Sequence, residues 1–278
     1  MKKYKIRTLS NISPKGLEVL SNSSCILDEN CEDPDGILVR STKFNQNYLN
    51  ESLKAISRAG SGVNNIPVDL CTKKGVVVFN TPGANSNAVK ELVFAALLLS
   101  SRNIFSSVDF VNNLQHFDKM EELEPFLEEN KKKFKGRELS GATLGVVGLG
   151  AIGSKVARMG VALEMKVIGY DPALSVEAAW KLPSQVEPTE TIEALFSKSD
   201  FITLHIPAIA STTGIVNFKL LQHAKKASLL NFARHEVVDD KSILKALDKK
   251  FLINFITDFP TPDLIKRANQ NKDIILLP

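Results

Sequence analysis

Three glycines spaced Gly148-x-Gly150-x-x-Gly153 follow the β-type run Thr143–Val147 and open a helical pattern through Val156, Ala157 and Met159. Strand, tight turn and helix form the setting in which such glycines hold a dinucleotide. Gly148 permits the turn, Gly150 lets the backbone approach a pyrophosphate, and Gly153 allows the helix to pack close to the strand. The N–H groups around Ala151 and Ile152 would meet the phosphates at the helix N-terminus. A plain turn is the alternative for the glycines taken alone. A second β-run, Lys166–Tyr170, ends at Asp171, where this fold places an acid for the ribose 2′-hydroxyl. Taken alone, Asp171 is equally a turn residue before Pro172. Together the two features point to NAD, because a carboxylate there repels the 2′-phosphate of NADP and no arginine follows it.

Arginine is the second source of chemistry. Arg234 comes just after the β-run Ser228–Phe232, at the carboxyl end where ligands bind in open α/β sheets. A guanidinium stays charged and grips a carboxylate with two hydrogen bonds. The other reading is a surface arginine before the helix that starts around Asp239–Asp240. Arg40 and Arg58 end short strands earlier in the chain and would face the same cleft if two domains closed on it. With the backbone N–H groups of Gly60, Ser61 and Gly62 they would suit a phosphate. The alternative is a structural Arg58 beside an ordinary glycine turn. His205 ends the run Phe201–His205; we read it as a packed histidine lining the cofactor rather than a catalytic one.

Elements that could position these residues alternate along the whole chain. Strands are expected at Tyr4–Leu9, Gly36–Arg40, Ala55–Ala59 and Val76–Phe79, with helical patterns at Asn47–Leu53 and Val68–Lys73. A long helix should begin near Asn85–Asn87 and reach Arg102. Its interior, Val93–Leu99, is apolar on every face, which calls for burial in the core or in a subunit interface. The segment Glu121–Arg137 runs from acidic to basic, as a solvated helix aligned with its own dipole does. Further strands are expected at Thr143–Val147, Lys166–Tyr170, Phe201–His205, Ser228–Phe232, Leu252–Thr257 and Asp273–Leu277. The pattern gives two α/β domains, 1–96 and 97–278, the second built on a doubly wound parallel sheet.

Composition narrows the classes. With 35 basic and 31 acidic residues the net charge is +4, too mild for a nucleic-acid footprint. Cys25, Cys31 and Cys71 lack metal-site spacing, so no metal is expected and a reduced cytoplasmic setting is the simplest reading. The basic start Met1–Arg7 is not followed by an apolar signal core, and Leu92–Leu99 is too short to span a bilayer.

Read in order, these segments resemble the D-2-hydroxyacid dehydrogenase family, and within it the D-3-phosphoglycerate dehydrogenases of serine biosynthesis. Thr143–Gly153 with Tyr170-Asp171-Pro172 is similar to the family's cofactor fingerprint. Asp200–Pro207 with Thr212-Thr213 is similar to its cofactor loop, and Asn231-Phe232-Ala233-Arg234 to its arginine motif. Val39-Arg40-Ser41 and Arg58-Ala59-Gly60-Ser61-Gly62-Val63-Asn64-Asn65-Ile66 resemble the substrate loops of its phosphoglycerate-type members. Asn80–Asn85, Asn87–Val89 and Glu91-Leu92 complete the series.

The resemblance implies a flavodoxin-like α/β substrate domain beside an NAD-binding Rossmann domain, assembled as a homodimer or higher homo-oligomer. The implied activity is NAD-dependent oxidation of D-3-phosphoglycerate at C2, with Arg234 holding the carboxylate and polarising the reacting carbon. Pro207, Thr213 and Ala233 would line the cofactor, and Asp258 would meet the nicotinamide amide. A glyoxylate/hydroxypyruvate reductase or an NAD(H)-sensing corepressor-like protein is the alternative.

Departures from the family pattern are specific. His235 stands where the family has glycine, and the sequence leaves open whether it faces solvent or crowds the site. Asp263 is the acid nearest the family's catalytic glutamate position, though helix capping suits it better. Asp273–Pro278 resembles the strand leading to the family's Pro-His, whose histidine would come next, so a longer parent protein is expected.

Overall fold

The computed structural model describes residues 3–277. Met1 and Lys2, from the basic start, and Pro278, at the end of the last expected strand, lie outside the described residues. The chain divides into two units, Met1–Asn85 and Ser86–Pro278.

In the first unit β1 (Tyr4–Leu9), β2 (Cys25–Leu27), β3 (Gly36–Val39), β4 (Ala55–Arg58) and β5 (Val77–Asn80) form one parallel sheet ordered β2-β1-β3-β4-β5. That is the flavodoxin-like order. Helices α1 (Pro14–Ser21) and α2 (Val68–Lys73) accompany it. Ile37, Val39, Ile56, Cys71 and Val76 make its core. The expected helix at Asn47–Leu53 is instead a single 3₁₀ turn, Gln46–Tyr48. Asparagine side chains explain the loss. Asn45 Oδ1 accepts the Asn47 N–H and Asn50 Oδ1 accepts the Leu53 N–H, which competes with helical pairing.

The second unit opens with α3 (Ser86–Ser101), α4 (Ile104–Asn112) and α5 (Met120–Asn130). Its sheet contains β6 (Thr143–Val147), β7 (Lys166–Tyr170), β8 (Val186–Pro188), β9 (Phe201–Leu204), β10 (Ala227–Asn231), β11 (Leu252–Thr257) and β12 (Ile274–Leu276). Helices α6 (Gly153–Ala162), α7 (Val176–Trp180), α8 (Ile192–Lys198), α9 (Phe218–Leu221), α10 (Asp240–Asp248) and α11 (Pro262–Gln270) connect them. All strands are parallel, in the order β12-β11-β10-β9-β6-β7-β8. The winding reverses between β6 and β9, so a crevice opens there at the carboxyl ends of the strands.

One expectation shifts. The division falls before α3 rather than at residue 96, because Val93, Phe94, Ala96 and Leu97 pack into one core with Leu144, Val146 and Phe201. A cut at 96 would split that buried face. The helix is buried on several sides, as expected, with Leu98 left 44% exposed. The acidic-to-basic segment is α5, mostly exposed, followed by a 3₁₀ turn at Lys131–Phe134.

Among the glycines of the second unit, the least room for a side chain is at Gly153, where α6 meets its turn. A Cβ on Gly153 would stand 1.9 Å from the Gly148 carbonyl oxygen. Gly153→Ala should therefore cost about 1–3 kcal/mol, the usual range for overpacking. The cost should appear as a lower melting temperature; an unchanged value would mean that α6 can slide off the turn.

Candidate functional site

The glycine turn joins three strand ends. Gly148 has φ +89°, its N–H donates to Tyr170 O at 2.8 Å, and a Cβ there would meet His205 O at 2.6 Å. The Leu149 N–H donates to Asp171 Oδ2 at 2.8 Å, while Asp171 Oδ1 accepts the Ala173 N–H at 3.0 Å. The carboxylate at the end of β7 thus holds the turn at the end of β6. Pro172 beside it is exposed. Nothing lies within 4 Å of the position a Cβ would take on Gly150. The N–H groups of Gly150 and Ala151 have no acceptor among the described residues. Open space before unclaimed donors at the start of α6, where Ile152 is the N-cap, fits a pyrophosphate.

Across the switch point, the His205 N–H donates to Val147 O at 2.7 Å and Nε2 lies 2.9 Å from Thr203 Oγ1. Its Nδ1 is buried without a partner, and burial pushes the imidazole down to about 3, so the ring is neutral at physiological pH. In the loop that follows, the Thr213 hydroxyl donates to Ile209 O at 2.9 Å. The neighbouring Thr212 accepts the Ile209 N–H and donates to Pro207 O, making it the residue that shapes this loop. Sequence reasoning placed Thr212 in the motif without giving it that part. A hydroxyl three residues after Ile209 was the available signal.

Arg234 is aimed by Asn231, the last residue of β10. Asn231 Oδ1 accepts the Ala233 N–H at 3.1 Å, and its Nδ2 donates to Arg234 O at 2.9 Å. Thr257 Oγ1 donates to Asn231 O at 2.8 Å, tying the loop to β11. The Arg234 guanidinium donates to Ala233 O at 2.6 Å. Beside it, Asp258 Oδ1 is buried without a partner. Burial raises the Asp258 carboxyl above its ordinary range, against a backbone hydrogen bond and the Arg234 charge. A buried acceptor with nothing to accept suits an amide N–H donor.

His235 is exposed, with Nε2 3.4 Å from Asp240 Oδ2, which also accepts the Thr261 hydroxyl at 2.7 Å. It leans on the start of α10. Asp263 does not cap α11; Thr261 does, its Oγ1 accepting the Leu264 N–H. The cap falls there because Pro262 takes the first helical position.

In the first unit Arg58 is turned onto its own loop. Nε donates to Arg40 O at 3.2 Å and Nη1 to Gly62 O. The Ala59 N–H is taken by Val39 O and the Gly60 N–H by Arg58 O. Of the loop donors, Ser61 and Gly62 are the ones without an acceptor among the described residues. Arg40 and Ser41 are exposed. Asn65, named in the loop motif without a part of its own, donates to Arg40 O and Thr42 O and fixes that corner, while Asn80 donates to Ser61 O at 2.7 Å.

Among the described residues no three His, Cys, Asp or Glu side chains converge as metal ligands. No single helix among them is long and apolar enough to cross a membrane; α3 and α4 reach that length only together, across a 62° bend.

A seven-stranded parallel sheet with a glycine turn and an acid on adjacent strands defines a dinucleotide-binding α/β protein. Residues 94–278 match the family described as D-isomer specific 2-hydroxyacid dehydrogenase, NAD binding domain, and the chain belongs to that family, with NAD as its cofactor. It is 37% identical over 239 residues to D-3-phosphoglycerate dehydrogenase of Rattus norvegicus, covering 84% of this chain and 42% of that protein. The enzyme of the same name from Methanocaldococcus jannaschii is 38% identical over 223 residues, covering 79% and 40%. The chain thus spans about two fifths of the length of these relatives.

Two solved structures share the fold. NAD⁺-bound 3-phosphoglycerate dehydrogenase from Entamoeba histolytica has a TM-score of 0.77 at 24% identity, over 99% of this chain and 87% of that one. Holo D-mandelate dehydrogenase from Rhodotorula graminis has a TM-score of 0.79 at 21% identity, over 100% and 88%.

The neutral His205 gives the fold a signed response to acid. Its folded-state value lies below that of the unfolded chain, so the unfolded state takes up the proton first as pH falls. Stability should be unaffected by this group above about pH 6.5 and fall between there and about pH 3. Urea unfolding at pH 7 and pH 5 should show an extra loss on the order of 1–2 kcal/mol relative to His205→Asn. Equal losses would mean that His205 titrates normally in the fold.

Proposed function

We propose that the protein is an NAD-dependent D-2-hydroxyacid dehydrogenase whose substrate carries a phosphate, as D-3-phosphoglycerate does. The observation that carries the reading is Arg234 held by Asn231 at the carboxyl end of β10, beside the unpartnered Asp258 oxygen. NAD, when bound, supplies the hydride acceptor. Arg234 binds the carboxylate and stabilises the charge that builds on the C2 oxygen. Asp258 accepts from the nicotinamide amide. Asp171 receives the ribose hydroxyls, and His205, Pro207, Thr213 and Ala233 wall the cofactor. Arg40, Ser41 and the N–H groups of Ser61 and Gly62 meet the phosphate, with Arg58 holding their loop in shape. The relatives named D-3-phosphoglycerate dehydrogenase support this choice. A mandelate enzyme shares the fold, so the phosphate preference rests on the first-unit loops.

Titration of the NADH-bound protein with 3-phosphohydroxypyruvate and with hydroxypyruvate tests the substrate class. The phosphorylated acid should bind more tightly, and Arg40→Ala should cost it roughly 10- to 150-fold, the range of one charge-assisted contact. Equal affinity for the two acids would instead mark a glyoxylate/hydroxypyruvate reductase. Asp171→Asn should narrow the preference for NADH over NADPH, since the carboxylate's repulsion of a 2′-phosphate is removed. Equal affinity of the unaltered protein for both cofactors would overturn the assignment of Asp171.

We also propose that the protein forms a homo-oligomer. Leu98, Phe105, Val108 and Val111 present an exposed apolar face on α3 and α4. Sedimentation should give a particle of at least two chains, and a monomer at micromolar concentration would exclude it.

A further inference from the structure

A cavity of about 840 Å³ opens beside the glycine turn, walled by the outer face of α6, by α7 and by the first turns of α3. Gly150 and Ala151 line it, as do Asn87 and Lys90 of α3. Lys90 is the unusual member. Its side chain is only 15% exposed, and lysine is seldom covered to that degree without a close anionic partner.

The partners of Lys90 are weak for so covered a charge. Nζ donates to the neutral Asn87 Oδ1 at 2.9 Å. The carboxylate nearest to it, Glu91 Oε1, is 3.8 Å away, is 64% exposed and already accepts from Asn87 Nδ2 at 2.8 Å. The other charged residues around the cavity are Lys155, Arg158, Lys181 and Glu177, and Glu177 is paired with Lys181 at 2.6 Å. The Arg158 guanidinium is committed to Lys181 O at 2.8 Å. The cavity therefore carries excess positive charge, and its lining includes both a covered ammonium and two backbone N–H groups that have no acceptor among the described residues.

We propose that Lys90 is a positioning residue for the cofactor: from α3 it supplies the cation that meets the NAD pyrophosphate over Gly150 and Ala151. This inference rests on the dinucleotide reading of the glycine turn and adds a contact from outside the βαβ unit. Residue 151 is alanine, so the turn brings no cationic side chain of its own to the phosphates. The Asn87–Glu91–Lys90 hydrogen bonds hold the ammonium in place before the cofactor arrives, which lowers the ordering cost of binding.

The test uses the whole chain and follows NADH fluorescence, with ADP and adenosine as competitors. ADP carries the diphosphate and adenosine does not. Lys90→Met should weaken NADH and ADP about tenfold or more, the size of one charge-assisted hydrogen bond, and leave adenosine within twofold. It should also flatten the salt dependence of NADH binding. Lys90→Arg should restore most of the affinity, and Lys155→Met, removing an exposed charge, should change it less than twofold. Unchanged NADH affinity in Lys90→Met, or equal losses for ADP and adenosine, would overturn the assignment while leaving the dinucleotide site intact. Failure of the unaltered chain to bind NADH would overturn both.

Discussion

Between the first residue of α6 and the carbonyl of Gly148 there is no room for a methyl group, and the nucleotide end of the second unit is organised around that clearance. Because the helix sits hard against the turn, its first N–H groups project from a fixed place at the carboxyl edge of the sheet. The same closeness brings the Leu149 N–H to Asp171, so a carboxylate on β7 and a turn on β6 are one rigid piece. Across the switch point the Gly148 turn also rests on the His205 carbonyl, leaving that strand end no space to drift. A polar ligand is then met by groups already oriented, in the manner of anion sites at helix N-termini.

Charge in this unit follows a consistent logic. His205 is kept neutral by burial, so the strand that faces the glycine turn adds no charge of its own. Asp258 is pulled in opposite directions by burial and by Arg234, leaving an acceptor and a cation side by side without a short ion pair between them among the described residues. Such a pair is poised for a ligand that offers both a donor and an anion. The mild net charge of +4 conceals this, because the cations that matter are local and partly covered.

Much of the architecture was legible in the sequence because its signals are local and strong. The β-runs Tyr4–Leu9, Thr143–Val147, Lys166–Tyr170 and Leu252–Thr257 appear with those bounds, and α3 begins within the expected residues. Two short strands were not legible: β2 and β8 have three residues each, too few for a period to show, whereas the equally short β12 stands out by its unbroken apolar run. The helix expected at Asn47–Leu53 failed for a different reason, the capture of backbone donors by asparagine side chains. At the candidate site the glycines and Asp171 could be read because their spacing is fixed by backbone geometry. For Arg58 the sequence left two roles open, since its bonds to the Arg40 and Gly62 carbonyls depend on the path of residues 59–62. Lys90 gave no signal, because its meaning depends on how α3 lies against the glycine turn.

Asn231 deserves comparison with a mould. Its amide bonds forward to the Ala233 N–H and the Arg234 carbonyl, and its own carbonyl is held from β11. The three residues beyond the strand therefore set into shape when the sheet forms, before any ligand is present. The entropy of arranging that peptide is lost once, on folding, and does not recur at each encounter with a small anion. One consequence is a separation of tasks within four consecutive positions. Arg234 can change its partner without disturbing the sheet, while the shape of its backbone belongs to the strand that precedes it.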